Sequence, residues 1–178
     1  LAFEVLSKKM DNDISPEISL NWVNYLASSI GLRGVAGGQY LDLLINGKNV
    51  QIDRLEKIYD LKTAHLIKPC IMLPLMISRF SKDKNTYENF QKFGTLLGIS
   101  FQIKDDLLGY TSSSEVLGKT KNKDEIRNQP NFVNILGINE TSKILKKNKE
   151  NIEKILSNNG FKDTYLSEIS NYIFDRKF

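Results

Sequence analysis

Apolar residues along the chain recur at spacings of three and four, alternation of the strand type is nearly absent, and Asn, Ser, Gly and Asp punctuate the segments. The pattern predicts an all-α protein. The opening LAFEVLSKKM reads as the end of a helix, and Ser15 followed by Pro16 and Glu17 reads as the start of one, a capping hydroxyl ahead of a proline at the first helical position. That second helix is expected to run through Trp22, Tyr25 and Leu26 to about Ile45. Gly31, Gly34, Gly37 and Gly38 fall inside it, and each weakens a helix by up to about 1 kcal/mol relative to alanine. Such a cluster marks a close helix approach or a kink. A phosphate-binding glycine loop is the alternative, but no strand precedes the stretch and the spacing is not that of known phosphate motifs. Gly47 and Asn49 end the segment. Asp53 with Glu56, and Asn85 with Glu88, each resemble a capping box and are expected to open the next two helices. Beyond Tyr110, TSSSEVLGKTKNKDEIRNQPN reads as a loop of about twenty residues, a length that in compact domains is functional or disordered. Phe132–Gly137, Glu140–Leu156 and Tyr165–Phe174 are shorter helices that complete a bundle. No repeat and no domain boundary interrupts residues 1–178.

The helix expected from near Thr86 carries two adjacent carboxylates in FQIKDDLLGY. At about 100° per residue, Gly98, Gln102, Asp105 and Gly109 share one narrow strip with Asp106 at its margin. Phe90, Phe93, Leu97, Phe101 and Leu108 flank the strip, and Leu96, Ile103 and Leu107 lie nearly opposite. A helix apolar on both flanks is a central one, so the strip is expected to line an internal cavity, where an ionised carboxylate must be paired, metal-bound or neutralised. Capping or a structural salt bridge near the helix end remains the other reading of the pair. A second informative stretch is DLKTAHLIKPC. Lys62 shares a stripe with Leu66, Cys70, Leu73 and Ile77, so its ammonium either meets an anion or snorkels to the surface. Pro69 and Pro74 should kink this helix. His65 falls on another face, and Cys70 reads as a small core residue.

Composition narrows the chemistry. Forty per cent hydrophobic and 26% charged residues suit one globular domain with a sizeable core. The net charge of +4 is dispersed, and the dense patch Lys143–Lys149 is read as a solvated helix face rather than a nucleic-acid surface. A single cysteine excludes an intrachain disulfide, and a single histidine excludes a His-rich metal site, which leaves oxygen ligands for any metal. No apolar run reaches membrane-spanning length and no signal sequence opens the chain, so the expectation is a cytoplasmic protein without stable membrane insertion. Leu1 in place of Met adds the expectation that the chain is the later part of something longer.

Four stretches in this order, GGQYLDL, LKTAHLI, GISFQIKDDLLGY and EVLGK, with Lys119 fourteen residues after Asp105, resemble the bacterial trans-prenyl diphosphate synthases, the farnesyl and geranylgeranyl diphosphate synthase family. The resemblance runs nearly from Leu1 to the C-terminus and implies residues 1–178 to be the C-terminal part of one polyprenyl synthetase domain, an isoprenoid synthase-type helical bundle. It implies a homodimer that condenses an allylic diphosphate with isopentenyl diphosphate, giving farnesyl diphosphate or a near homologue, with Mg²⁺ as cofactor. It implies that Asp105 and Asp106 begin the second aspartate-rich motif and ligate the metal. It further implies that Lys62, Thr63, Gln102 and Lys119 contact the allylic diphosphate and that the Ser112–Asn128 loop closes over it.

The chain departs from the family pattern at three places. Gly109 stands where the second motif has its third aspartate, and Gln129 stands where a diphosphate-binding lysine is usual. The first aspartate-rich motif, its arginines and the isopentenyl diphosphate site all precede Leu1 in the family's order, so these 178 residues alone are expected to be inactive and to carry one half-site. A non-catalytic regulatory or scaffold subunit of a heteromeric prenyl synthase is the alternative. A terpene cyclase of the same fold would need a metal motif on the later helices, and Asn148–Asn159 offers none.

Overall fold

The structure is a computed structural model describing residues 1–8, 14–116 and 129–177, with side chains left undescribed at 112–116. Among the described residues it is entirely helical: α1 Ala2–Ser7, α2 Pro16–Ile30, α3 Val35–Ile45, α4 Ile52–Tyr59, a π-helical turn Asp60–Ala64, α5 His65–Ile77, α6 Lys84–Val116, α7 Phe132–Asn158 and α8 Tyr165–Asp175. The all-α expectation holds. None of these helices is long and apolar enough to cross a membrane.

Helix α6, 33 residues and about 50 Å long, is the axis of the bundle, packed against α4, the π-turn, α5, α7 and α8. Phe90, Phe93, Leu97 and Ile103 are buried on it, and with Leu55, Ile58, Met72, Phe132, Ile152 and Leu156 they form the core. Its cap is not the expected Asn85. Asp83 accepts from the Asn85 and Thr86 amides at 3.0 and 3.3 Å and from the Thr86 hydroxyl at 2.8 Å, so the side chain that satisfies the first free donors lies two residues earlier.

Ser15 caps α2 as expected, accepting from the Ile18 amide at 3.3 Å with Pro16 at the first helical position. The helix does not continue to Ile45. It stops at Ile30, and the chain turns through Gly31–Gly34 before α3. A Cβ on Gly34 would lie 1.7 Å from the Ser29 carbonyl oxygen, so only glycine allows that turn. Gly38 answers to the other expected role, since a Cβ there would lie 2.3 Å from the Lys62 amide nitrogen where α3 meets the π-turn. The expected Asp53–Glu56 box is absent as well. Helix α4 begins at Ile52 behind Gln51, which makes no side-chain cap.

Helix α5 is apolar nearly all round, so periodicity alone could not choose its core face. The structure buries Pro69, Met72 and Leu75 and leaves Leu66, Ile77 and Cys70 exposed. Cys70 is therefore a surface residue, contrary to expectation. Tyr40, Leu43 and Leu44 of α3 are exposed too.

Helix α6 extends through Val116, so the first part of the expected loop is helical, while residues 117–128, including Lys119, lie outside the described residues. Asn131 caps α7 by accepting from the Asn134 amide at 2.7 Å. The two helices expected over 132–137 and 140–156 are joined across a kink at Gly137, whose φ of 79° favours glycine.

Candidate functional site

The π-turn places Lys62 and Thr63. Such turns arise where one residue more than an α-helical turn is accommodated, and they occur frequently at functional sites. The Lys62 ammonium lies 3.0 Å from the Asp42 carboxylate, with only 18% and 11% of the two side chains exposed. It also sits 5.2 Å above the ring of Tyr59, which is 3% exposed. The snorkelling alternative is therefore excluded. Lys62 is held inward by a carboxylate on α3 and an aromatic face on α4.

Tyr59 links this pair to α6. Its hydroxyl donates to Asp106 Oδ2 at 2.8 Å and Oδ1 at 3.0 Å, and Asp106 Oδ2 also accepts from the Phe132 amide at 2.9 Å. The Tyr59 and Phe132 rings lie 5.5 Å apart. Burial pushes the Asp106 carboxyl up to about 6, against the lowering effect of these hydrogen bonds and of Lys62. Burial likewise raises the Tyr59 phenol, with the Asp106, Asp42 and Asp105 charges adding to it, so the hydroxyl stays protonated and donates.

Asp105 has a different outlook, with 44% of its side chain exposed. Its Oδ1 accepts from Arg176 Nη2 at 2.5 Å, and the same Nη2 donates to the Phe101 carbonyl at 3.0 Å. The Arg176 guanidinium stacks 4.1 Å over the Phe101 ring and is 12% exposed, and its Nε is buried without a partner. The expected acidic strip is thus two regions. Its lower part is helix contact, since a Cβ on Gly98 would lie 2.3 Å from Ala64 Cα. Its upper part, with half-buried Gln102 and Asp105 and exposed Gly109, is open.

Among the described residues no three His, Cys, Asp or Glu side chains gather closely enough to hold a metal by themselves. The donor chemistry at Asp105 nevertheless fits Mg²⁺, which takes oxygen ligands, commonly one or two carboxylates completed by substrate phosphates and water. The carboxylate is partly open, and Arg176 already shows that a cation is favourable there. Both Asp106 oxygens, by contrast, are committed to Tyr59 and Phe132. Gln129 is exposed, and its carbonyl accepts from the Asn134 side chain at 2.9 Å.

Three residues of the site escaped the sequence reading. Asp42 lay inside GGQYLDL and could have been found as the anion that Lys62 requires. Tyr59 and Arg176 carried no signal, one on a helix flank and the other in a short basic end.

The polyprenyl synthetase family model matches residues 2–173. A farnesyl diphosphate synthase of Escherichia coli is 28% identical over 99% of the chain and 60% of its own length. The large subunit 1 of a heterodimeric chloroplastic geranylgeranyl pyrophosphate synthase of Arabidopsis thaliana is 33% identical over 99% of the chain and 48% of its own length. A Helicobacter pylori geranyltransferase, solved with magnesium and isoprenyl diphosphate, superimposes on 98% of the chain and 55% of its own with a TM-score of 0.74 at 27% identity. The chain spans about half the length of most curated relatives it matches.

Proposed function

The chain belongs to the polyprenyl synthetase family, and from that premise we propose that it serves a short-chain prenyl diphosphate synthase as the half of the site that receives the allylic diphosphate. The observation that carries this reading is the meeting of three separate stretches at one point, Asp42, Lys62 with Tyr59, and Asp105 with Asp106. A cation held by the Asp42 carboxylate over the Tyr59 ring, close to the open carboxylate of Asp105, is suited to a ligand that brings negative charge.

In this reading Lys62, Thr63 and Gln102 contact the allylic diphosphate, as does Lys119, which lies outside the described residues. Lys62 exchanges part of its pairing with Asp42 for a diphosphate oxygen, and Gln102 orients the leaving group. As the allylic C–O bond breaks, both electrons leave with the diphosphate, so preorganised positive charge at Lys62 favours the transition state over the bound substrate. The allylic cation then adds to the double bond of isopentenyl diphosphate, and loss of a proton to the departing diphosphate restores a double bond. Mg²⁺, held through Asp105 and substrate oxygens, would supply further neutralisation of that leaving group. Farnesyl diphosphate or a near homologue is the product we propose, made by a homodimer.

The test is titration of the full-length protein with geranyl diphosphate and Mg²⁺, followed by mass spectrometry of products after adding isopentenyl diphosphate. Metal-dependent binding and a product longer by one isoprene unit are expected. Binding without product would favour the second reading, a non-catalytic subunit of a heteromeric synthase, which Gly109 and the arginine-neutralised Asp105 support.

A further inference from the structure

A cavity of about 550 Å³ opens between α2, the glycine turn, α5 and the first half of α6. That volume lies in the range of small-molecule sites, roughly 300–1,000 Å³. Its α6 wall is Gln91, which precedes Asp105 by fourteen residues, about 21 Å along the helix at 1.5 Å each. Three basic side chains line the cavity: Arg33 from the glycine turn, and His65 and Lys68 from the beginning of α5. Among the described residues that line it there is no Asp or Glu, and Met76 is the one aliphatic side chain. Asn21, Asn24 and Ser28 add neutral polar groups from one face of α2. Gln91 Nε2 donates to the Tyr25 hydroxyl at 3.0 Å, which leaves the phenol proton and the Gln91 carbonyl oxygen for a ligand. Burial raises the Tyr25 phenol, so it keeps that proton.

The basic groups are set in place. Lys68 is 14% exposed, with its ammonium 2.7 Å from Asp60 Oδ1, and its stem packs on α6 at Gly94, where a Cβ would lie 3.0 Å from Lys68 Cγ. His65 Nδ1 lies 3.0 Å from the Asp60 carbonyl oxygen, which can only accept, so Nδ1 carries a proton and Nε2 is the nitrogen left for a ligand. Arg33 is exposed, and among the described residues no ion pair engages it. The Gly31 and Gly34 amides are bonded to the Ala27 and Gly31 carbonyls at 3.0 Å, so the glycine turn offers an anion its arginine rather than a nest of backbone donors.

We propose that this cavity binds a small phosphate-bearing anion without a hydrocarbon chain, inorganic diphosphate being the simplest, with Arg33, Lys68 and His65 as its cationic contacts. A guanidinium fork and an ammonium together match adjacent phosphate groups, and bonds between charged partners are the strong ones. Lys68 has three donors, so it serves Asp60 and the anion at once. The polar lining gives a prenyl tail nothing to pack against beyond Met76 and the Tyr25 ring. The site needs neither Asp105 nor a metal, and it stands without the prenyl-synthase reading.

His65 is the single histidine of the 178 residues, so its imidazole resonances report on this cavity directly, and His65→Gln identifies them in the full-length protein. The titration is followed by nuclear magnetic resonance in metal-free, phosphate-free buffer, with inorganic diphosphate, inorganic phosphate and geranyl diphosphate as the probes. Inorganic diphosphate is expected to shift the His65 resonances saturably without any metal and to bind more tightly than phosphate. Geranyl diphosphate should bind no more tightly than inorganic diphosphate. Arg33→Gln should raise the Kd for inorganic diphosphate about tenfold, the effect of losing one charge-assisted hydrogen bond. Because Arg33 is exposed, that variant carries the test where Lys68→Gln, expected to act alike, does not fold. Asp105→Ala should leave this Kd unchanged. The absence of a saturable shift, or the parent Kd in Arg33→Gln, would overturn the proposal. So would tighter binding of geranyl diphosphate, which would mark a site for hydrocarbon, or loss of binding in Asp105→Ala, which would place the anion beside Lys62. Failure of the prenyl-synthase reading would appear as absent product in the condensation assay and would leave this titration unaltered.

Discussion

Replacing Asp106 by Asn should make the protein more stable at neutral pH, although it removes a charge that accepts hydrogen bonds. The Asp106 carboxyl is pushed from an ordinary 3.8 to about 6 chiefly by burial, against the pull of Tyr59, Phe132 and Lys62. The folded state therefore binds the proton more tightly than the unfolded chain does. Below about pH 4 both states are protonated and the group is neutral for stability; between about 4 and 6 the folded state pays an ionisation cost that is complete above about 6. A shift of about two units corresponds to about 3 kcal/mol at 1.36 kcal/mol per unit. Because the side chain is only half-buried, about 1–3 kcal/mol is the expected gain for Asn at neutral pH, or about 3–10 °C in Tm for a chain of this size. Urea unfolding followed by far-UV circular dichroism, at about pH 3.5 and about pH 7.5, reads both ends of the window. The Asn variant should gain at the higher pH and approach the parent at the lower. A loss at neutral pH, or a difference that ignores pH, would refute the argument that burial outweighs the hydrogen bonds at this carboxylate.

Asp105→Ala should lower kcat severely with an unchanged circular dichroism spectrum, because its side chain is 44% exposed and makes little of the core; near-normal turnover by the folded variant would remove its assigned role. Arg176→Ala should tighten Mn²⁺ binding several-fold in paramagnetic resonance titrations, since the guanidinium holds the oxygen a metal would take; weaker binding would mean that Arg176 supports the metal instead. Gly98→Ala should cost about 1–3 kcal/mol in urea unfolding, its Cβ meeting the Ala64 backbone at 2.3 Å. Gly109→Asp should change stability by less than about 0.5 kcal/mol, because nothing lies within 4 Å of a Cβ there.

What the sequence disclosed follows from which forces are local. Helix content and the centrality of α6 were legible because Phe90, Phe93 and Leu97 repeat at helical spacing on one flank, Ile103 lies on the other, and all four are buried. The Ser15 cap was legible because one hydroxyl and one proline suffice to specify it. The Asn85 and Asp53 caps failed because several neighbouring polar residues could serve, and the choice between Asp83 and Asn85 depends on the angle at which the chain enters the helix. The α5 core face failed because that helix is apolar on opposite sides, and contact with α6 and α2 decides which side is covered. At the site, Lys62 and Asp105 were visible as charges out of place on apolar helices. Tyr59 and Arg176 became part of it only through contacts spanning 47 and 71 residues of sequence.

The π-helical turn at Asp60–Ala64 sets a rule about length. One residue beyond the α-helical count rotates everything downstream by about 100°. Removing any single residue from the turn would let α4 run straight into α5. Either Pro69, Met72 and Leu75 would then swing away from the core, or Lys62 would swing away from Asp42 and Tyr59. Substitution at Leu61 or Thr63 alters one side chain, whereas a one-residue deletion forces the helix to choose between its two obligations. Across related chains this segment should accordingly vary in residue identity far more readily than in number.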